Sequence, residues 1–397
     1  MPKTPDPPAT VPFFDLTVQY RALKADVEAA MREVCDSQQF ILGPQVARFE
    51  ERMAAYCGVP HAVGLSSGTD ALLAAFMALG VEAGDEVIVP AYTFFATAGT
   101  VARLGARPVF CDVEPESLNL DPGAVRRWLE GSCRRDGEGA VNAVTGARVK
   151  AIVPVHLYGR TADMSALAAV GSEFGIPLVE DAAQAIGAET ADGRRAGGIG
   201  AIGCLSFFPT KNLGAFGDAG MCLTGSAEAA EALRLLRVHG SGHGGRYHTA
   251  VGGNFRLDEL QAAVLNVKLD HLEAWTARRR EIASRYTEAF SGLGLPIEIP
   301  AVPSSGRHVF NQYVIHADAR DELREHLAAR RVGTAIYYPV PLHLQPCFRD
   351  PGWREGDFPV AEAAAQRGLA LPVYPELTEE QQQHVIASVA EFFDRRA

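Results

Sequence analysis

Hydrophobic residues along the chain follow two patterns, short apolar runs and longer stretches with helical spacing. The runs Glu86–Pro90, Pro108–Val113 and Ala151–Val155 are typical of short buried strands. Between such runs lie segments with apolar residues three or four positions apart, as in Tyr20–Val34. Because strands alternate with helix-length segments, the pattern indicates βαβ units. We therefore predict an α/β fold with a mainly parallel central sheet and flanking helices.

The same patterns predict the remaining elements and a domain division. Further helices are predicted at Gln45–Tyr56, Ala71–Leu79, 227–238, Asp258–Tyr286 and Arg320–Arg331, and further strands at Ala62–Leu65, Cys204–Phe208, Asn311–Ile315 and Thr334–Pro339. Residues 1–12 are expected to be a flexible arm, residues 131–148 an exposed loop, and the basic run Arg278–Arg280 a solvated helix face. We expect an N-terminal arm over residues 1–20, a large domain over 21–265 and a smaller α/β domain over 266–397.

Composition narrows the class of protein. The 397 residues are 47% hydrophobic and 21% charged, which is ordinary for a soluble globular enzyme. The net charge of −11 argues against nucleic acid as a partner. Seven cysteines without a C-x-x-C pair indicate a reducing cytoplasm. Met1–Thr10 lacks the apolar core of a signal peptide, and the longest apolar run, Ala71–Leu79, is far shorter than a membrane span, so no membrane partner is expected.

Candidate chemistry begins at Lys211, which follows the apolar run Cys204–Phe208 and precedes a Gly-rich segment. Burying an ammonium group is unfavourable unless its pKa falls or the amine reacts. Lys211 is therefore a candidate Schiff-base lysine, although a surface lysine in a turn is the simpler interpretation of this segment alone.

Asp181 supports the reactive interpretation, because it lies at the predicted C-terminal end of another parallel strand. Ligands of open α/β sheets bind at that end. A lysine amine and a carboxylate on neighbouring strand ends suit pyridoxal phosphate (PLP): the amine bonds the aldehyde, and the carboxylate pairs with the protonated ring nitrogen. The sequence thus predicts PLP as cofactor, with Lys211 and Asp181 as catalytic residues.

Three motifs in fixed order carry a family resemblance: Ser67–Leu72, Asp181-x-x-Gln184 and Ser206–Gly214. With Phe14–Leu16 and Leu371–Pro375 they cover nearly the whole chain. The chain resembles the DegT/StrS-type sugar aminotransferases, PLP enzymes of the aspartate aminotransferase fold (fold type I). The resemblance implies transfer of an amino group, with L-glutamate as donor, to a nucleotide-linked keto-sugar.

The resemblance also implies roles for individual residues. Gln184 would hold the ring hydroxyl of the cofactor, and Phe94 would lie over its ring. Gly68, Thr69 and Ser206 would bind the phosphate, as a helix N-terminus can, although Ser67–Asp70 also fits a plain helix cap. Asn254 would reach the phosphate in the partner subunit of a homodimer with shared active sites. Tyr338 and His343 are candidate substrate contacts, with packing between the domains as the alternative.

Two other motifs receive weaker interpretations. Gly198-x-Gly200-x-x-Gly203 matches a dinucleotide fingerprint but lacks the strand before it and the helix after it that NAD binding needs. His239, His243 and His248 lie in a Gly-rich segment without thiolate or carboxylate companions, so no metal is expected. His156 is expected to be structural.

Three alternatives to a sugar aminotransferase stay open at this stage. An aminotransferase acting on another cyclic ketone, such as a keto-inositol, fits the same motifs. A PLP-dependent sugar dehydratase is disfavoured, because relatives of that type replace the Schiff-base lysine by histidine. A non-catalytic regulatory relative is disfavoured by the joint presence of Lys211, Asp181 and Gln184.

Overall fold

A computed structural model describes residues 10–242, 246–349 and 352–396 of the chain. The strands are β1 (His61–Leu65), β2 (Glu86–Pro90), β3 (Arg107–Cys111), β4 (Cys133–Arg135), β5 (Ala140–Asn142), β6 (Val149–Ile152), β7 (Val179–Asp181), β8 (Ile202–Ser206), β9 (Gly220–Thr224), β10 (Tyr313–His316) and β11 (Gly368–Leu371). The α-helices are α1 (Thr17–Ser37), α2 (Pro44–Cys57), α3 (Gly68–Ala78), α4 (Ala96–Arg103), α5 (Pro122–Ser132), α6 (Met164–Phe174), α7 (Ala227–Leu236), α8 (Glu259–Leu269), α9 (Leu272–Leu293), α10 (Arg320–Ala329), α11 (Pro359–Arg367) and α12 (Glu379–Asp394).

The central sheet is mainly parallel, as predicted. Strands β3-β2-β6 form one hydrogen-bonded group and β7-β8-β9-β1 another. Parallel bridges from Ile152 to Leu178 and from Val155 to Asp181 join the two groups. Only β9 runs antiparallel to its neighbours in this sheet. Every residue of β2 is buried, which fits a parallel strand with both faces of the sheet covered.

Local sequence accounts for several helix boundaries in this part of the chain. Helix α2 begins at Pro44, whose missing N–H costs nothing in the first turn, and ends at Gly58 with a φ of 73°. Helix α3 is capped by the Ser67 hydroxyl, which accepts from the Asp70 N–H at 3.0 Å. The cap at Ser67 therefore allows α3 to begin shortly after β1 ends at Leu65.

The C-terminal part of the chain has a core of its own. Strands β10 and β11 pair antiparallel, and α9, α10 and α12 pack around them. Tyr286, Tyr313 and Leu327 are among the buried side chains there. Val11 joins this core and bridges Val332, so the predicted flexible arm is wrong at that residue. Residues 1–9 lie outside the described part.

The structure corrects two predicted irregular or extended segments. Residues 131–148 are not one exposed loop, because β4 and β5 form a hairpin and Asn142 donates to the buried carboxylate of Glu86 at 2.9 Å. The predicted strand Thr334–Pro339 is absent, and only Ala335 makes a bridge, to Ala370. The aromatic and β-branched residues of this segment are typical of a strand. Tyr337 and Tyr338 instead pack against the core of the large sheet.

The predicted long helix Asp258–Tyr286 is also corrected. It breaks at Asp270–His271 into α8 and α9, and the predicted domain boundary at residue 265 falls inside α8. Arg279 is only 2% exposed, and its guanidinium donates to the carbonyls of Phe310 and Val373. The prediction of a solvated face is therefore wrong for Arg279, since carbonyl groups replace water around it. The domain division itself stays a prediction.

Among the residues described, the helices include none with both the length and the apolar character needed to cross a membrane.

Candidate active site

Three of the predicted site residues lie at or just after the C-terminal ends of β7 and β8, which lie side by side in parallel. Asp181 is the last residue of β7, and Ser206 is the last residue of β8. Lys211 lies in the turn after β8, where its N–H donates to the Phe208 carbonyl at 2.8 Å. The side chains at these strand ends therefore face the edge of the sheet at which α/β proteins bind ligands.

The Asp181 carboxylate is held in one orientation. The Thr97 hydroxyl donates to Oδ2 at 2.7 Å, and the Ala183 N–H donates to Oδ1 at 3.2 Å. Asp181 is only 5% exposed. A fixed, buried carboxylate is suited to pairing with a cationic ring nitrogen, because it needs no rearrangement when the cation arrives.

Lys211 carries an amine whose pKa is depressed. Burial lowers the pKa of Lys211 from 10.5 to about 8, and the negative charge of Asp181 opposes that shift. The neutral amine, which is the form that attacks a carbonyl or accepts a proton, is therefore accessible near neutral pH. Gly214 closes the turn, since a Cβ there would lie 2.3 Å from the Pro209 carbonyl oxygen.

Gln184 is oriented by groups on both sides of its amide. Its Oε1 accepts from the Tyr158 N–H at 2.7 Å, and its Nε2 donates to the Tyr338 hydroxyl at 2.9 Å. Because a backbone N–H can only donate, the Tyr158 contact identifies Oε1 and directs Nε2 toward the site. Burial, followed by the charge of Asp181, raises the pKa of Tyr338, which keeps its hydroxyl protonated.

The start of α3 forms the wall of the site beside β8. A Cβ at Gly68 would lie 2.6 Å from the Ser206 Cβ, so only glycine allows this approach. Thr69 is exposed, and the amides of Gly68 and Thr69 lie in the first turn, where a helix has no internal acceptor for them. The hydroxyls of Thr69 and Ser206, with the amides of this first helical turn, form a suitable binding site, or seat, for a phosphate. The residues present therefore fit PLP.

The side chains of Phe94 and Asn254 are both exposed to solvent. Phe94 is 56% exposed, and its ring centroid lies 6.0 Å from that of Tyr338. Asn254 is exposed and bridges Val238 through its backbone. The structure thus brings Phe94 beside Tyr338, which accepts from Gln184, whereas the role of Asn254 in a partner subunit stays a prediction.

Two histidines were interpreted differently from the sequence, His343 as a candidate substrate contact and His156 as structural, and both are buried. His343 is buried, its Nε2 lies 3.0 Å from a Glu362 oxygen, and its ring packs edge-on to Phe358. This geometry favours packing over substrate contact. His156 is also buried, with Nε2 2.8 Å from Glu180 and Nδ1 accepting from the Ala162 N–H. Both ring nitrogens are engaged, as a structural role requires.

The motif Gly198–Gly203 has a different function in the fold from nucleotide binding. Its last two residues lie in β8, and the amides of Gly197, Ile199 and Gly200, just before that strand, donate to the buried Glu180 carboxylate at 2.6–2.8 Å. The anion bound by this glycine-rich turn is therefore a side chain of the protein.

The histidine-containing loop gives no sign of a metal site in the part that is described. The His248 Nδ1 lies 2.9 Å from the His239 carbonyl oxygen, and His243 lies outside the described residues. Within residues 10–242, 246–349 and 352–396, no group of three metal-ligating side chains is found.

Sequence reasoning missed Thr97, Tyr92 and Tyr158 as site residues. Thr97 and Tyr92 follow β2, and Tyr158 follows β6, so the rule that ligands bind at strand ends points to all three. Nothing in the local pattern distinguishes these side chains from core residues, because their partners lie far away in the chain.

Comparison with known proteins identifies the class. Residues 21–390 match the DegT/DnrJ/EryC1/StrS aminotransferase family, and the chain belongs to that family. It is an enzyme of the transaminase type, which confirms the resemblance and the fold predicted from the sequence.

Particular relatives span nearly the whole chain. A "pleiotropic regulatory protein" of Geobacillus stearothermophilus is 47% identical over 96% of this chain and 98% of its own. The dTDP-3-amino-3,4,6-trideoxy-alpha-D-glucose transaminase of Streptomyces venezuelae is 42% identical over 97% of both chains. The crystal structure of S. venezuelae DesV in complex with a ketimine intermediate superposes with a TM-score of 0.90 at 42% identity, covering 97% of this chain and 99% of that one.

Proposed function

We propose that the protein is a PLP-dependent aminotransferase that moves an amino group from L-glutamate to a nucleotide-linked keto-sugar. The observation that carries the proposal is the placement of Lys211 and Asp181 on adjacent strand ends, with the Gly68–Ser206 contact beside them. The S. venezuelae relative, a transaminase named for a dTDP-linked amino-sugar, supports the class of substrate. The products are 2-oxoglutarate and an amino-sugar nucleotide, destined for polysaccharide or secondary-metabolite biosynthesis.

Bound PLP would supply an electron sink for the negative charge that develops at the donor carbon. Gly68, Thr69 and Ser206 would hold its phosphate, and the Asp181 carboxylate would pair with its ring nitrogen. The Gln184 Nε2 would donate to its ring hydroxyl, and Phe94 would cover its ring. The Lys211 Nζ would hold its aldehyde carbon until the amino donor takes its place.

Lys211 then moves the proton that the reaction transfers. Its neutral amine would take the proton from the Cα of glutamate and deliver it to C4′ of the cofactor, acting first as base and then as acid. A pKa of about 8 suits both roles, because each protonation state is accessible near the working pH. The second half-reaction repeats these steps in reverse with the keto-sugar.

A homodimer completes the site in this proposal. Asn254 is exposed in the single chain, and Tyr247 and Val251 of the same segment are 78% and 90% exposed. Exposed apolar residues beside a candidate phosphate ligand are expected where a second subunit packs. Asn254 of one subunit would then bind the phosphate held by the other.

The test is the absorbance spectrum of the purified protein with PLP, before and after addition of L-glutamate. We expect the cofactor band to change and 2-oxoglutarate to appear, with neither change in Lys211→Ala. A bound cofactor that ignores every amino acid would contradict transamination and favour dehydratase chemistry or the regulatory role suggested by the name of the Geobacillus relative.

The substrate is tested separately with a panel of keto-sugar nucleotides and keto-inositols. Turnover of keto-inositols alone would overturn the sugar-nucleotide proposal while leaving the aminotransferase intact. Initial-rate plots against both substrates should be parallel, because the amino group is stored on the enzyme between two half-reactions. Intersecting plots would contradict this cycle.

A further inference from the structure

Four tyrosines form a hydrogen-bonded group beside Gln184, which we define as the tyrosine cluster: Tyr92, Tyr158, Tyr337 and Tyr338. Tyr92 follows β2 and Tyr158 follows β6, whereas Tyr337 and Tyr338 belong to the C-terminal part. The hydroxyls of Tyr92 and Tyr158 both contact the Tyr337 carbonyl oxygen and lie 3.1 Å from each other. The segments that follow β2 and β6 therefore both bind the peptide group between Tyr337 and Tyr338.

The hydrogen bonds of the two phenols are not equivalent. The Tyr92 hydroxyl donates to the Tyr337 carbonyl and also accepts from the Tyr338 N–H at 2.8 Å. If Tyr92 lost its hydroxyl, the Tyr338 N–H would lose this acceptor. If Tyr158 lost its hydroxyl, Tyr92 could still satisfy both groups of that peptide. Burial raises the pKa of Tyr92 to about 12, so it stays a donor at working pH.

The cluster is connected to the site through both ends of the Gln184 amide. Tyr158 donates its N–H to Oε1, and Tyr338 receives a hydrogen bond from Nε2. Tyr158 has a φ of 58°, which is uncommon for a residue with a Cβ, and its carbonyl accepts from the Asn311 N–H at 2.9 Å. The unusual backbone conformation is thus held by contacts with two separate segments.

We propose that Tyr92 is a positioning residue, assisted by Tyr158, that clamps the Tyr337–Tyr338 peptide over the cofactor site. The clamp fixes the Tyr338 hydroxyl against Gln184. Gln184 Nε2 carries two hydrogens, so that one is donated to Tyr338 and the other would be donated to the ring hydroxyl of PLP. The Tyr338 oxygen accepts from Gln184, so its own proton can be donated to an oxygen of the sugar substrate. The role in catalysis rests on the proposed function.

The experiment compares Tyr92→Phe and Tyr158→Phe with Tyr286→Phe. Tyr286 donates to the Pro372 carbonyl at 3.1 Å in the C-terminal core, so it controls for the loss of a buried phenol. Hydrogen exchange of the peptide that contains Tyr338 is measured first, in cofactor-free protein. We expect faster exchange in Tyr92→Phe than in the wild type, and wild-type exchange in Tyr158→Phe and Tyr286→Phe.

The second measurement uses the protein loaded with PLP. In Tyr92→Phe we expect a shifted pH titration of the cofactor absorbance and a fall of about tenfold in kcat/KM for the keto-sugar, from the loss of one buried hydrogen bond and the freed segment. The fall in Tyr158→Phe should be smaller. Tyr286→Phe should retain the wild-type titration and kcat/KM.

Each outcome decides the proposal. Unchanged exchange in Tyr92→Phe would show that the clamp does not hold the segment, whatever the enzyme does. Faster exchange with a wild-type titration and kcat/KM would reduce the cluster to a structural role and overturn the proposal. A wild-type protein that binds PLP but ignores glutamate would overturn both the proposed function and the positioning role, and the exchange result would still report separately on the contacts.

Discussion

Lys211, which is half-buried, and Lys268, which is buried, have similar acidity and different surroundings. Burial lowers the pKa of each to about 8, and a carboxylate charge opposes the shift in each, Asp181 for Lys211 and Glu376 for Lys268. The Lys268 Nζ, however, donates to the Gly214 carbonyl at 2.5 Å and lies within 6 Å of the ring centroids of Phe216 and Trp275.

The comparison shows that a depressed pKa does not by itself make a lysine catalytic. Lys211 lies just beyond the strand ends, near a carboxylate fixed by Thr97 and the proposed phosphate seat at Gly68. Lys268 lies on α8 and uses its charge to hold the turn that follows Lys211. The Lys211 amine lies at the proposed cofactor site, whereas the Lys268 amine is bonded to the protein itself.

The largest effect is expected from Lys211→Ala, because it removes the amine that we propose binds the cofactor and moves the proton. We expect aminotransferase activity to fall by about 10⁴-fold or more. Lys268→Met is the matched control, and it should retain PLP binding and a glutamate-dependent spectrum. Activity within tenfold of the wild type in Lys211→Ala would contradict the assignment.

Asp181→Asn tests the carboxylate that distinguishes the two lysines. Asparagine keeps the size of the side chain and can still accept from Thr97, but it loses the charge that pairs with the ring nitrogen. We expect kcat to fall by about 100-fold or more. Asp192→Asn, in an exposed loop, should leave kcat unchanged. A wild-type rate in Asp181→Asn would show that the ring nitrogen is not paired there.

Gly68→Ala tests the phosphate seat beside Lys211. Its Cβ would meet Ser206 at 2.6 Å, so the start of α3 must move and PLP affinity should fall by about tenfold or more. Gly225→Ala is the control, because no atom lies within 4 Å of a Cβ built there. Equal PLP affinities of the two variants, measured by titration of cofactor-free protein, would contradict the proposed seat.

The smallest effect concerns the pH dependence of stability. Because the pKa of Lys268 is lower in the folded than in the unfolded protein, the unfolded chain binds more protons between about pH 8 and pH 10.5. The free energy of unfolding of the wild type should therefore rise relative to that of Lys268→Met across this window. Denaturant unfolding of cofactor-free protein at several pH values measures the difference, and a constant or falling difference would contradict the buried charge.

Much of the fold was predictable because apolar runs and stop signals are local. Residues Glu86–Pro90 were predicted as a strand with the bounds of β2, and Pro44 and Gly58 delimit α2 as helix termini usually are. The family motifs predicted Lys211, Asp181 and Gln184 as site residues. The structure has Asp181 at the end of β7, beside β8 and the turn that carries Lys211, and the roles of the three residues stay predictions.

The remaining features depend on contacts between residues far apart in the chain. A run of arginines on a helix predicts a solvent-exposed face. The Arg279 guanidinium instead donates to the backbone carbonyls of residues 310, 311 and 373. Tyr337 and Tyr338 have strand-like composition, yet Tyr92 and Tyr158 determine where they lie. Such pairings leave no periodic signal in the sequence.

The most direct test of the account is reductive trapping of PLP on the wild-type protein, followed by mass spectrometry of its peptides. We predict one phosphopyridoxyl group on Lys211 and none on Lys268, although the two amines have similar pKa values. Label on Lys268, or no label on either lysine at saturating PLP, would contradict the claim that the surroundings of Lys211 make it the catalytic residue.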